Sequence, residues 1–552
     1  MLTVVGFGVW LGMRVLTVKA ELEGAQVAVS EVRSGGDTTQ ALQSIAVHSR
    51  AAATASADPV WTVSEAVPLV GDNLRAVRLA SESLDALSSG LALPVLDAFG
   101  NASGGPVLGR VVPILQAAAP GVAKLAASVA EVQGSPSLLP EVRAGLDQVA
   151  EVLTAASPAL ELMPGMLGAD SPKNYLLVAQ SNAESVGLGG SAASQTLIRV
   201  EGGTITIAAQ TDSSDYRADT VLNLPVDQSA IDLYHDVMVR NINASVSRPD
   251  FPTAATVLKA FWQRDIRNDQ IDGVISVDPI ALSYVLAATG PITVGSTGTA
   301  TSDNIVRLVL SDAYSRFPGS GESDDFFKAV AASVFTKLAN GQFDPRKMLG
   351  AVEAGIEGGS ILFWSADPAI QERVAGMAIA GILPSDNAER TVIGVYFRDS
   401  SSGSKIDFYM KSSVTASATC TSEGKSEFTA SVTLMLDITQ AAADALPDYV
   451  KSHAPGWGSK KFSTEVFVYG PPGSELTNIT LGKENVKLRK QKIDDLGRPV
   501  ASFNTFQRPM QSTTVTATFT GADSSYGPVK VQTTPMVHAT KVTLDDQHCG
   551  IR

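Results

Sequence analysis

Cysteine is almost absent from this chain: two residues in 552, Cys420 and Cys549, both in the last third. With no Cys-x-x-Cys pair, neither a thioredoxin-like dithiol nor a zinc knuckle is encoded. The five histidines, His48, His235, His453, His538 and His548, are dispersed with no metal-ligand spacing. Positive charge is also short. Lys and Arg number 42 against 56 Asp and Glu, a net charge of −14 with no basic cluster, which excludes a nucleic-acid binder that needs a basic footprint for phosphates. Aromatic residues make up only 6%. A Gly-x-Ser-x-Gly elbow and a Walker sequence are both missing, so the familiar hydrolase nucleophile and P-loop are not encoded.

No uninterrupted apolar run reaches the roughly 20 residues of a membrane span. Leu2 to Met13 is apolar, Arg14 interrupts, and Val15 to Val18 resumes before Lys19. A basic leader and an Ala-x-Ala-like cleavage site are lacking, which disfavours a cleaved signal peptide. Residues 1–19 are expected to belong to a membrane helix whose basic start lies upstream, with a short buried or interfacial helix as the alternative.

What is present is Ala, Leu, Val, Ser, Thr and Gly in three successive patterns, so a multidomain α+β chain is expected. From 20 to 168 apolar residues recur at three- and four-residue spacing, as in Leu74, Val77, Leu84 and Leu87, or Leu146, Val149 and Leu153, the signature of amphipathic helices. Breaks at Ser34-Gly-Gly, Asp58-Pro, Gly100 to Pro106, Gly134 to Pro136 and Pro164-Gly divide them into a helical stalk or bundle. Asp58-Pro-Val-Trp61 is expected to anchor one helix on another.

From 169 to 387 short β runs alternate with helices, an α/β layered domain. Tyr175-Leu-Leu-Val-Ala has the length of a buried strand, and Leu197 to Val200, Glu201-Gly-Gly and Thr204-Ile-Thr-Ile form a hairpin with a glycine turn. Between them Ser181 to Ser194 is expected to be a small-residue loop, with Asn182 and Glu184 at its start and Gly189 and Gly190 in its middle, where backbone could approach a ligand. Its Gly187-x-Gly-x-x-Ala192 run is not a dinucleotide fingerprint, since a strand rather than a helix follows it. Gln228 to Val237 is expected to be one helix, and Thr253 to cap another that runs to Arg267. From 388 to 552 the period changes to two in at least seven runs, among them Thr391 to Arg398, Lys405 to Lys411, Phe428 to Ile438 and Thr513 to Thr520, which predicts an antiparallel β-sandwich.

The order Tyr175-Leu-Leu-Val-Ala-Gln-Ser-Asn-Ala-Glu, a Gly-Gly pair, a hairpin, Asp272-Gly-Val-Ile-Ser-Val-Asp-Pro-Ile-Ala-Leu and Thr289-Gly-Pro-Ile resembles the domain of unknown function 4012 family, found on bacterial, often actinobacterial, envelope proteins. The likeness continues through Ile361-Leu-Phe-Trp-Ser-Ala-Asp, Lys405-Ile-Asp-Phe-Tyr-Met and Pro472-Gly-Ser-Glu-Leu, and so covers most of the chain after about residue 165. Where that family usually carries Glu-Leu-Arg, this chain has Glu184-Ser185-Val186. The order of elements is also similar, more weakly, to the LytR-CpsA-Psr phosphotransferases, in which arginines and carboxylates bind a polyprenyl pyrophosphate and magnesium. Here Asp272 to Ile292 matches a strand and helix of that family. Its Pro-Arg-Asp after the hairpin is missing, and Lys328 stands where an arginine would be.

Phosphoryl transfer needs cations around the phosphates and carboxylates for a metal. The candidates are Arg199, Arg217, Asp219, Arg248, Asp250, Arg316 and Asp324; solvated or locally paired charge is the plainer reading of each. Cys420 and Cys549 are expected either to form one disulfide or to stand as two buried thiols. A bridge closing about 130 residues would contribute on the order of 4 to 5 kcal/mol and place the domain in an oxidising compartment. The resemblance implies a membrane-anchored, extracytoplasmic envelope protein, with a binding or scaffold role in assembling or exporting cell-surface polysaccharide. The alternatives are a transferase of lipid-pyrophosphate-linked glycan, for which Mg2+ would be needed, and a stalked surface sensor. Expected partners are the membrane and an envelope glycan or polyprenyl-linked lipid.

Overall fold

The computed structural model describes residues 2–33, 38–100, 106–294, 298–317, 320–482, 484–485, 493–521 and 526–547. They form a mixed α+β protein with a helical N-terminal region and large, mainly antiparallel sheets. The chain divides into two units: one is Met1–Lys173 with Val200–Thr206 and Ala339–Gly341, and the other is everything else.

The first unit is built from α1 (Leu2–Arg33), α2 (Thr38–Ser56), α3 (Pro59–Ser64), α4 (Gly71–Leu87), α5 (Leu93–Gly100), α6 (Val107–Gln133) and α7 (Pro140–Met166). Asp58 caps α3 by accepting Val60 N–H at 2.9 Å, and it also accepts Trp10 Nε1 and Arg14 Nε at 3.2 Å each, tying α1 to α3. Trp61 is buried with Val18, Ala52, Ala55 and Leu74, and its indole N–H donates to Leu74 O at 3.0 Å, so it anchors helix to helix. The stripe Val111, Leu115, Val122 and Val129 of α6 meets Leu146, Val149, Leu153 and Leu160 of α7 in a second core.

Two features differ from expectation. No helix ends at Lys19, because no proline interrupts Leu2 to Arg33 and the apolar start merges with an Ala- and Val-rich stretch. Among the described residues, the helix long and apolar enough to cross a membrane is α6. The buried stripe of α6 faces α7, so its apolar character also serves the bundle core.

The second unit is organised on a ten-stranded sheet. Its strands are numbered along the chain with those of the smaller sheets: β1 (Lys173–Val186), β2 (Gly189–Glu201), β3 (Thr204–Asp212), β4 (Gly273–Val277), β5 (Ile292–Thr293), β6 (Thr299–Ala300), β7 (Ile361–Ser365), β8 (Thr391–Asp399), β9 (Met410–Cys420), β10 (Ser426–Leu436), β11 (Phe462–Tyr469), β12 (Ser474–Leu481), β13 (Glu484–Asn485), β14 (Ile493–Asp495), β15 (Arg498–Gln507), β16 (Ser512–Gly521), β17 (Val529–Thr533) and β18 (Lys541–Asp546). The large sheet runs β14-β15-β11-β8-β1-β2-β3, with β17 also on β8, β4 parallel to β1, and β7 on β4. The expected boundary at 387/388 therefore does not separate two sheets: β8 joins β1 at Val186 and Arg398.

β8 shows why its sequence reads as almost continuously apolar. Val392 and Tyr396 face one core, shared with Phe261 and Trp262 of the helix Phe251–Asp265, while Ile393, Val395 and Phe397 face the other. The second core is closed by a six-stranded sheet, β13-β12-β16-β10-β9-β18. Its outer face carries hydroxyls in register, Ser431 with Thr516 at 2.9 Å and Thr433 with Thr514 at 2.8 Å, hence its strict period of two.

Local departures have local causes. The expected loop Ser181 to Ser194 is strand on both sides of a tight Gly187-Leu188 turn. Gly187 has φ +44°, and a side-chain carbon at Gly190 would lie 2.0 Å from the Ser181 carbonyl oxygen, so glycine serves close strand approach rather than an open loop. Lys405 to Lys411 is not one strand; Ile406–Tyr409 is a 3-10 turn that brings charged side chains inward. The helix expected over Gln228 to Val237 breaks at His235, which has φ +60°. Asp250, not Thr253, caps the helix Phe251–Asp265, accepting Thr253 N–H at 3.3 Å, and that helix ends at Asp265 rather than Arg267.

Candidate functional site

The second half of β1, Gln180-Ser-Asn-Ala-Glu-Ser-Val186, is an unusually polar sequence for a buried strand, and buried polar groups must find partners. Most of the partners come from distant elements. Gln180 Nε2 donates to Ser276 Oγ at 2.7 Å, and its Oε1 accepts Gly190 N–H at 2.7 Å. Asn182 Nδ2 donates to Asp278 Oδ2 at 2.9 Å and to the Pro535 carbonyl at 3.0 Å. Asp278 caps the helix Pro279–Thr289, accepting Ile280 and Ala281 N–H at 2.9 Å each. Burial raises its carboxyl above the usual range, although those N–H groups, Asn182 and Ser360 favour the charged form.

Glu184 forms an ion pair with Lys405, whose ammonium lies 5.2 Å from the Tyr314 ring centre and 4.7 Å from that of Tyr449. Burial pulls this ammonium down to about 8. Two residues along, Asp407 accepts Ser185 N–H at 3.0 Å and also the Ser185 hydroxyl. Burial, and then the neighbouring Asp399 carboxylate, pushes Asp407 up to about 8. Asp399 is itself raised by burial, opposed by Ser401 N–H and the Ser401 and Ser404 hydroxyls. Burial and mutual repulsion thus favour a shared proton on this pair of carboxyls. Asn182 Oδ1 and Asp407 Oδ1 are buried with no hydrogen-bond partner among the described residues. This seam can store and release a proton, and it clasps β1 to residues 399–407.

A second polar knot surrounds Arg248. Its guanidinium donates to Asp495 Oδ1 at 2.6 Å and Oδ2 at 3.1 Å, to Asp227 at 2.8 Å and to Thr253 at 3.2 Å, and Asp250 lies 3.9 Å away. Asp495 also accepts Ser229 Oγ at 2.7 Å and Tyr469 OH at 3.0 Å, and Tyr469 OH meets Tyr234 OH at 2.6 Å. Burial works against the charge of Arg248, and Asp495, together with Asp227 and Asp250, outweighs it. An open cavity of about 240 Å³ adjoins the knot, lined by Pro252, Thr253, Thr256 and Trp364 among others.

Of the nominated phosphate-site residues, Arg248 and Asp250 come together among the described residues. Arg217 pairs with Asp265 at 2.7 Å, and Asp265 also pairs with Arg264. Arg316 lies 4.0 Å from Asp312. Arg199 is exposed on β2, and Asp219 is exposed and accepts Thr220 Oγ1 at 3.0 Å. Asp324 lies in the helix Ser320–Ala339, and its side chain is outside the described residues. Asn182 is a buried and Glu184 a half-buried strand residue rather than a loop residue, and Gly189 and Gly190 open β2. Cys420 ends β9, while Cys549, and with it the expected bridge, lies outside the described residues. Among the described residues no group of three His, Cys, Asp or Glu side chains is arranged to hold a metal ion.

Lys405, Asp407, Asp399 and Asp495 were not singled out from sequence as site residues. Lys405 and Asp407 carried a signal, two opposite charges two residues apart inside an otherwise apolar run, Lys405-Ile-Asp-Phe-Tyr-Met.

Fold and seam together define a mixed α+β protein whose hairpin segment is locked by buried polar side chains into a two-sheet body. Residues 170–314 match the model of the family described as "Protein of unknown function (DUF4012)". The curated proteins contain no match. Among solved structures the chain is similar to the X-ray structure of the Lin1025 protein from Listeria innocua, at 14% identity over 38% of this chain and 78% of that one, with a TM-score of 0.23.

Proposed function

We propose that this protein is a membrane-anchored, outward-facing envelope protein that acts as a binding or scaffold component in the assembly or export of cell-surface polysaccharide. The observation that supports a scaffold over a transferase is the pairing of the nominated charges. Arg248 is committed to Asp495, Arg217 to Asp265, and Arg316 lies beside Asp312, so these guanidiniums are not gathered around one phosphate position. The broad hydroxyl-bearing face of the six-stranded sheet supports a surface role, and the apolar residues that begin α1 support the anchor.

The test is deletion of the gene, followed by analysis of envelope glycan composition and of polysaccharide retained at the cell surface. A change in either is expected; an envelope unchanged in both overturns the proposal. The runner-up, a divergent LytR-CpsA-Psr-like transferase, draws support from the groups of shifted acidity at Asp407 and Lys405. Incubating the purified full chain with a polyprenyl-pyrophosphate-linked glycan and Mg2+ separates the two. Turnover that alanine at Arg217 and Asp219 abolishes would favour the transferase, and no turnover is expected of a scaffold.

A further inference from the structure

Where β15 turns into β16, beside the end of β12, lies an open groove of about 570 Å³. Its floor and rim mix exposed apolar groups, Phe506 and Leu481, with the polar side chains of Asn504, Ser512 and Thr514, and none of its lining residues is charged. Phe506 is 47% exposed. Beside it stands Trp457, edge to face, with ring centres 5.7 Å apart and planes at 82°. The ammonium of Lys461 lies 3.9 Å from the centre of the Phe506 ring and 4.4 Å from that of Trp457, and no carboxylate pairs with it among the described residues. Asn504 Oδ1 accepts Ser463 Oγ at 2.7 Å, which orients the amide and leaves its two N–H donors without a partner among the described residues.

We infer that this groove binds a segment of acidic glycan, a sugar chain bearing carboxylates, an inference that rests on the polysaccharide role proposed above. Each chemical feature of the groove answers one feature of such a ligand. An exposed aromatic ring stacks on the apolar C–H face of a sugar, the hydroxyls and the amide bond its hydroxyls, and the unpaired ammonium held over the rings meets its carboxylate. A single cation beside an uncharged lining does not match a polyphosphate backbone, which needs several. The volume lies within the range of small-molecule sites, about 300 to 1,000 Å³, and suits a short oligosaccharide segment.

The test is calorimetric titration of the purified full chain with a hexasaccharide of alternating glucuronate and N-acetylglucosamine, beside cellohexaose as an uncharged probe. The uronate probe is expected to bind at least fivefold more tightly than cellohexaose, and to weaken at least tenfold in Phe506→Ala and Lys461→Gln. Lys461→Arg, which keeps the charge, is expected to stay within about threefold of the wild type. Matched thermal midpoints show that the variants are folded, and Asn504→Ala replaces any that is not. Failure of the wild type to bind the uronate probe, or equal binding by wild type, F506A and K461Q, overturns the site. If the wild type and K461Q retain polysaccharide from the cell envelope equally, the groove is wrong and the scaffold reading stands; if neither retains any and gene deletion leaves the envelope unchanged, both are wrong.

Discussion

Arg248 and Asp495 lie 247 residues apart in the chain and meet in a two-point ion pair from which water is excluded, their side chains only 4% and 0% exposed. The pair joins the entry to the helix Phe251–Asp265 with the turn between β14 and β15, so the matched segment and the C-terminal strands share one electrostatic knot.

Removing one partner should cost far more than removing both. Asp495→Ala leaves a buried guanidinium without its main counter-ion and is expected to lower stability by about 3 to 5 kcal/mol, whereas Arg248→Met with Asp495→Leu should recover most of that loss. Urea denaturation checks both. A loss under about 1 kcal/mol in D495A would mean that Asp227 and Asp250 suffice to hold Arg248.

Stability should fall as pH rises towards 8. Asp407 is raised by burial and by Asp399 to about 8, so between its unfolded value and 8 the folded state binds more protons than the unfolded chain, a slope approaching about 1.4 kcal/mol per pH unit for one proton. Lys405 acts with the opposite sign and only above 8, where the unfolded chain keeps the proton that the folded state gives up. Asp407→Asn should flatten the decline between pH 5 and pH 8, read from denaturant midpoints. An equally steep decline in D407N would assign the proton elsewhere.

Two glycines in the β1–β2–β3 region should respond very differently to alanine. At Gly190 a side-chain carbon would lie 2.0 Å from the Ser181 carbonyl, so Gly190→Ala must displace backbone and is expected to cost more than about 3 kcal/mol or prevent folding. At Gly202 nothing lies within 4 Å, and only the φ of +53° is unfavourable, so Gly202→Ala should cost about 1 to 2 kcal/mol. Similar losses in both would remove the close-approach explanation for Gly190.

The pairing proposed for Cys420 and Cys549 makes a direct prediction. Peptide mapping without reductant should yield one cross-linked pair containing both residues, and reduction should lower stability by about 4 to 5 kcal/mol. Alkylation of both thiols in the native protein without reductant would mean that they stand free.

Much of the element content was legible. The three- and four-residue spacing in 20–168 corresponds to α2 through α7, and the alternation over Phe428 to Ile438 and Thr513 to Thr520 corresponds to β10 and β16. The strands over Ser412–Cys420 and Ser474–Leu481 are faint in the sequence, because their inner faces rest on Val414, Ala416, Ala418, Leu476 and Ile479, few and partly small apolar residues among Ser and Thr. The polar run at Gln180 to Ser185 looked like a loop because polar, glycine-flanked sequence ordinarily is one. Only partners from Ser276, Asp278, Lys405 and Asp407 make a buried strand of it.

By itself the sequence determined the helical N-terminal region, the period-two C-terminal region and the family of the segment between them, because these follow from local spacing and short contiguous motifs. The tertiary structure alone decided that β8 and β1 share a sheet, that Arg248 is spent on Asp495, and that burial raises the Asp407 carboxyl. Each of those depends on residues hundreds of positions apart meeting where water is excluded, and neither burial nor the identity of a distant counter-charge is written in local spacing.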